Sequence, residues 1–121
     1  MSISALEPGF IGQMRLKNRF IKTATYEGMT PGGRVTQDLI AHHALMAEME
    51  VALTTVAYAA VSAEGRTFSD QLLVSQENLP GLLRLTQAVH ERGGKVSLQL
   101  GHCGAFSKLK SPSGRAPAGP S

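Results

Sequence analysis

A chain of 121 residues with 42% hydrophobic and 17% charged side chains is long enough for one modest globular domain. The net charge of +3 comes from scattered Lys and Arg. With two Tyr, four Phe and no Trp, it lacks the basic stripe with interleaved rings that grips nucleic acid. The lone Cys103 excludes an intrachain disulfide, and His42 and His43 have no partners at metal-ligand spacing. No run of about 18 apolar residues would cross a membrane, and no apolar h-region marks a signal peptide. A soluble protein of the reducing cytoplasm is the expectation.

In chain order, residues 6–19 combine the Pro8-Gly9 turn signal with short apolar alternation, which predicts a small hairpin. Phe20-Ile21-Lys22-Thr23-Ala24-Thr25 reads as a first strand, followed by the breaker-rich loop 28–34. Thr36 is a candidate N-cap, with Asp38 in the first turn complementing the helix dipole. Leu39, Ile40, His43, Ala44 and Ala47 recur at helical spacing, so a helix is predicted to about Glu50.

Residues 51–60 are almost uniformly apolar or small, as in a parallel strand covered on both faces. A long polar loop, 62–70, follows at that strand's carboxyl end. A second helix is predicted from near Asn78-Leu79-Pro80, with Leu82, Leu85, Thr86 and Val89 as its buried stripe and Gly93-Gly94 as its stop. Lys95 to Leu100 reads as a third strand, then the glycine-bearing loop 101–104. The last dozen residues are Pro/Gly/Ser-rich and read as a linker.

The order β-α-β-α-β implies parallel strands joined by helical crossovers. Ligands in such sheets sit at the carboxyl ends of the strands, where Thr23-Ala24-Thr25, Ala60 and Gln99 fall. Small residues let a flat ligand approach the backbone, and the Gln99 amide offers both a donor and an acceptor. Three parallel strands leave two open edges and partly uncovered faces, so a piece of something larger is expected.

With these residues placed, the chain resembles the N-terminal third of the Old Yellow Enzyme family of FMN-dependent NADH:flavin oxidoreductases. Leu16-Lys17-Asn18-Arg19-Phe20 is similar to the family's lead-in to its first barrel strand. Ala60-Val61-Ser62-Ala63-Glu64-Gly65-Arg66 resembles its segment after the second. Gln99-Leu100-Gly101-His102-Cys103-Gly104 resembles the stretch after the third, and Arg115 to Ser121 its proline-rich loop.

The resemblance implies the first three βα units of a (β/α)8 barrel, which typically needs about 250 residues. On that reading residues 1–121 are the N-terminal fragment of a single FMN-binding barrel domain. It implies FMN as cofactor, with NADH or NADPH as electron donor and an electron-poor alkene, an enone or enoyl-type compound, as substrate. Thr23, Ala24, Thr25, Ala60 and Gln99 would bind the flavin, Gln99 at the pyrimidine edge. The family often has Pro at the position of Ala24 and Thr or Cys at that of Tyr26, so Thr25 is the residue expected to take over the contact near the reactive nitrogen.

The family's substrate-holding His pair, proton-donating Tyr, flavin-contacting Arg and phosphate loops would all lie beyond Ser121. No catalytic residue is therefore expected in this chain, and alone it is expected to be poorly folded and inactive. The parent is expected to keep clear of nucleic acid and membrane, and a homo-oligomer is compatible with it. Two other readings stay open. One is an aldolase-like barrel with Lys22 forming a Schiff base; the other is a non-catalytic interaction module derived from a barrel. His42-His43 reads as an exposed helix pair, His102-Cys103 as a packed loop, and Lys108, Lys110 and Arg115 as a solvated face.

Overall fold

The computed structural model describes residues 4–109, together with Ala116 and Gly119. The chain opens with a hairpin, β1 (Gly9–Ile11) and β2 (Met14–Leu16), paired antiparallel with Ile11 opposite Met14. Gly12 turns it at φ +58°, a left-handed conformation that glycine adopts without steric cost.

The segment Leu16-Lys17-Asn18-Arg19 ties the hairpin to the rest of the domain. Leu16 is buried against Ala52 and Leu53. Lys17 Nζ donates to the Ala47 carbonyl at 3.2 Å and pairs with Glu50 at 2.9 Å, placing a cation where a helix dipole is negative. Asn18 Nδ2 donates to the Glu50 carbonyl at 2.7 Å while its Oδ1 accepts from Phe20 N. Arg19 Nη2 reaches the Pro8 carbonyl. These residues thus work as a structural clasp.

Three strands form the main sheet: β3 (Ile21–Lys22), β4 (Leu53–Ala60) and β5 (Lys95–Gly101), all parallel in the order β3-β4-β5. Two helices make the crossovers, α1 (Gln37–Glu48) and α2 (Leu79–Glu91). Thr36 caps α1 as expected, its Oγ1 accepting from Leu39 N at 3.1 Å. The buried residues of α1 are the five that the helical spacing picked out, Leu39, Ile40, His43, Ala44 and Ala47. On α2, Leu85 and Val89 are buried as expected, and Leu82 and Thr86 are half-buried. Gly81 is buried too, because a Cβ there would stand 2.7 Å from Val35 Cβ.

The core lies between the helices and one face of the sheet, built from Leu39, Ile40, Ala47, Val56, Ala59, Leu72, Leu85 and Val89, with Val96 and Leu98 packed against it. Among the described residues the other face is open except where Leu16 covers Leu53. On β5 the alternate residues Lys95, Ser97 and Gln99 are exposed, whereas Val96 and Leu98 turn inward. Ile21, on the same face by register, is 45% exposed.

Strand β3 is far shorter than residues 20–25 suggest, and the reason is visible on β4. The Lys22–Thr54 pair ends the ladder. The next groups along β4 go to side chains instead: the Thr55 carbonyl accepts from Lys22 Nζ and Ala57 N donates to Glu27 Oε1, each at 3.2 Å. Residues 23–27 therefore run beside β4 without pairing to it. The linker-like tail and the Arg115 to Ser121 stretch fall mostly outside the described residues, as do Lys110 and Arg115. Among the described residues no helix is long and apolar enough to cross a membrane.

Candidate functional site

Because the strands are parallel, their carboxyl ends lie at one end of the sheet. Residues 23–25 leave β3 there, Ala60 closes β4 and pairs with Gly101, and Gln99 sits two residues before the end of β5. Thr23, Thr25 and Gln99 are exposed and Ala24 is half-buried. Among the described residues the Gln99 amide has no hydrogen-bond partner in the protein. A Cβ at Gly101 would meet nothing within 4 Å, so the backbone beside Ala60 is open to a ligand.

Ala60 differs from the other four. It has no exposed surface, its N donates to the Leu72 carbonyl at 2.8 Å, and its carbonyl accepts from Val74 N at 2.9 Å. Segment 72–74 thus runs along the end of β4 and walls the site on that side.

The register of β4 and β5 slips beside Gln99. Val56 faces Leu98 and Ala59 faces Leu100, so Ala57 and Tyr58 together oppose Gln99 alone. A β-bulge of this kind bends a strand and re-aims the side chains around it. The Tyr26 ring stands edge-on to those of Tyr58 and Phe68, at centroid distances of 6.1 and 5.1 Å. Tyr26 is thereby packed into an aromatic trio, and partial burial, then the nearby Asp70 carboxylate, raise its phenol above the ordinary value.

The loops at this end are knitted by the segments that follow β4 and β5. Cys103 N donates to the Gly65 carbonyl at 2.9 Å, Lys108 N to the Thr67 carbonyl, and Ser107 Oγ to the Arg66 carbonyl at 2.7 Å. The His102 ring lies against Gly65, where a Cβ would be 2.9 Å from its Cγ. Its Nδ1 accepts from Gly104 N. The packed-loop reading of His102-Cys103 therefore holds, with His102 itself exposed and Cys103 half-buried. Gly65→Ala is expected to lower stability by about 1–3 kcal/mol through overpacking. Adding His102→Ala should restore most of the loss in thermal unfolding, and a double variant no better than the single would contradict this contact.

The expectation of an exposed His42-His43 pair is corrected. His43 has no exposed surface; its Nδ1 bonds Thr54 Oγ1 at 2.7 Å and its Nε2 bonds Glu27 Oε1 at 3.1 Å. His42 is half-buried, with Nε2 enclosed and unpartnered among the described residues, and burial pushes its imidazole below the ordinary value.

Glu27 gave no signal in the sequence. Its side chain is 4% exposed, and Oε1 receives Lys22 Nζ, His43 Nε2 and Ala57 N. Burial alone would raise its carboxyl; the bonds from His43, Ala57 and Lys22 outweigh burial and hold it below the ordinary carboxylate value. Lys22 Nζ, bonded to Glu27 and to the carbonyls of Thr23 and Thr55, has no free approach of the kind an aldolase nucleophile needs.

An open parallel sheet with hydroxyls and an amide at its carboxyl ends is the ligand-binding end of an α/β enzyme. The particular family is fixed by comparison. Residues 5–121 match the NADH:flavin oxidoreductase / NADH oxidase family, and the chain belongs to it.

A 4,4'-dithiodibutanoate disulfide reductase of Rhodococcus erythropolis is 48% identical over 108 residues, covering 89% of this chain and 27% of the relative. An NADPH dehydrogenase of Bacillus subtilis is 33% identical over 113 residues, covering 91% and 33%. Morphinone reductase in complex with tetrahydroNAD superposes at a TM-score of 0.85 with 23% identity, covering 96% of this chain and 32% of that one. An Old Yellow Enzyme from Pichia gives 0.80 with 17% identity, covering 85% and 27%. The chain thus spans about a third or less of the proteins it matches.

The family is one of FMN-dependent oxidoreductases with nicotinamide nucleotides as electron donors. The described residues fit part of such a cofactor. The exposed Gln99 amide can pair with a mixed donor–acceptor edge, and the Thr23 and Thr25 hydroxyls and the open backbone at Gly101 suit the close approach of a flat ring.

Proposed function

We propose that this chain supplies the first three βα units of an FMN-binding (β/α)8 barrel and carries one side of its flavin site. FMN, when bound, accepts a hydride from NADH or NADPH and hands it to an acceptor, chemistry that belongs to the cofactor. The chain's own residues bind and orient it. Gln99 holds the pyrimidine edge, Thr23 and Thr25 approach the ring from the end of β3, and Ala60 sits beneath as a small residue in the floor.

The single observation that carries this reading is the convergence of exposed Thr23, Thr25 and Gln99 at one end of a parallel sheet, in a chain of a flavin oxidoreductase family. Membership and coverage also support a longer parent: the sheet has two open edges, which a closed barrel would remove.

The acceptor we favour is an electron-poor alkene, an enone or enoyl compound, which takes up the hydride and a proton. The 48% identical relative named as a disulfide reductase favours a second reading, in which the same two electrons and two protons split an S–S bond into two thiols. NADPH oxidation by the complete protein, with a cyclic enone and with an aliphatic dithiodicarboxylate as competing acceptors, separates the two by product.

Gln99→Ala in the complete protein should weaken FMN binding roughly 2- to 13-fold, the equivalent of one neutral hydrogen bond worth about 0.5–1.5 kcal/mol. Fluorescence titration of the apoprotein measures it. Unchanged affinity would remove Gln99 from the site.

A further inference from the structure

We infer that Glu27 is a positioning residue for the cofactor site, acting through the β4 bulge on Gln99; this rests on the flavin reading above. Three observations meet at its carboxylate. Ala57 N, which faces the β3 side beyond the end of that strand, donates to Glu27 Oε1 at 3.2 Å. Ala57 and Tyr58 are the two residues that oppose Gln99. Glu27 also closes the segment that begins with Thr23 and Thr25, so one carboxylate joins the end of β3 to the bulge beside β5.

The joint is held from below by two further groups. Lys22 Nζ, at 3.2 Å, supplies the opposite charge from the last paired residue of β3. His43 Nε2, at 3.1 Å, fixes the carboxylate from α1 and is itself fixed through Nδ1 to Thr54 Oγ1 at 2.7 Å. Lys22, His43 and the Ala57 amide therefore lock the carboxylate in one place. A buried network of this kind specifies a single local geometry more than it adds stability. The geometry it specifies here is the strand irregularity opposite Gln99.

Bulges persist where they aim a side chain, and without its anchor on Glu27 the first of the two bulged residues is free to move. Straightening β4 by one residue would shift its register against β5 beyond Gln99 and move the Tyr58 ring away from Tyr26 and Phe68. The aim of the Gln99 amide then changes while its chemistry stays intact.

The test uses the complete flavoprotein with Glu27→Gln, Glu27→Ala, Gln99→Ala and the two corresponding double variants. FMN affinity is measured by fluorescence, and the flavin carbonyl stretch by difference infrared spectroscopy. The Gln variant keeps an oxygen for Ala57 N and loses the charge. Affinity should fall in the order wild type, Gln, Ala, by no more than the roughly 2- to 13-fold expected of losing the Gln99 bond. Both losses should vanish in the Gln99→Ala background, as coupling through one partner requires. The carbonyl stretch should shift toward that of the Gln99→Ala protein.

Variants that unfold at lower temperature yet bind FMN as the wild type does, with an unchanged carbonyl stretch, would overturn the inference. So would losses that add fully to that of Gln99→Ala. Should Glu27→Ala fail to fold, the Gln variant and its double decide by the same criteria. A wild-type protein that does not bind FMN would instead defeat the flavin reading, and is seen before any variant is made.

Discussion

Asn78→Ala is expected to destabilise the protein by about 2–4 kcal/mol, more than its place at the start of a helix suggests. Asn78 is 4% exposed and its side chain serves three backbone groups. Its Nδ2 donates to the carbonyls of Gly33 and Leu73, each at 2.7 Å, and its Oδ1 accepts from Val35 N at 3.0 Å. One amide thereby pins the loop before α1 to the segment leading into α2. Truncation leaves the Leu73 carbonyl and the Val35 N–H unpaired in a buried place, each costing about 1–3 kcal/mol less what water entering the gap returns, and leaves the Gly33 carbonyl with its bond from Leu73 N alone. Asn78→Asp should be at least as damaging, because a carboxylate has no N–H for the two carbonyls. Urea denaturation of the complete protein measures both, and an Asp variant as stable as the wild type would contradict the assignment.

Leu85→Ala should cost about 2–5 kcal/mol. Leu85 is 1% exposed and lies in the cluster with Leu39, Val56, Leu72 and Val89 that joins α1, α2 and β4. The lost transfer energy of the deleted methyl groups combines with a cavity that the surrounding elements cannot close. Gly81, one turn away, already packs against Val35, and Gly94 packs against Ala47 with no room for a Cβ. Both helices are thus held at close approach and cannot shift inward. A urea midpoint within error of the wild type, at unchanged slope, would show that α2 is not part of this core.

These two residues mark what the sequence makes legible. Leu85 belongs to a periodic stripe, and a stripe is a local property: spacing alone identified the apolar buried positions of α1 and both core anchors of α2, whereas His43, on the same spacing, reads as exposed. Asn78 could be recognised only as a helix boundary residue, since its partners lie at positions 33, 35 and 73. Glu27 is the stronger case. Lys22, His43 and Ala57 converge on it from β3, α1 and β4, and no pattern in the sequence relates those positions before the fold does.

The candidate site divides in the same way. The carboxyl-end location of Thr23, Thr25 and Gln99 follows from the β-α-β order, because parallel strands share a direction. The early end of β3 and the bulge opposite Gln99 do not. The first depends on which backbone groups of β4 are taken by Lys22 and Glu27, a competition between side chains and ladder that is settled in three dimensions, and the second on a register slip that no local pattern marks. The segments Gly65-Arg66 and His102-Cys103-Gly104 fold onto each other, with the His102 ring where a Cβ at position 65 would stand.

The most direct measurement is the flavin content of the complete protein and its response to reduced nicotinamide. Purified protein should be yellow, release stoichiometric FMN on denaturation, and lose its flavin absorbance when NADH or NADPH is added without oxygen. A well-folded complete protein that is colourless, takes up no added FMN and leaves both nucleotides unoxidised would contradict the assignment of this sheet end to a flavin.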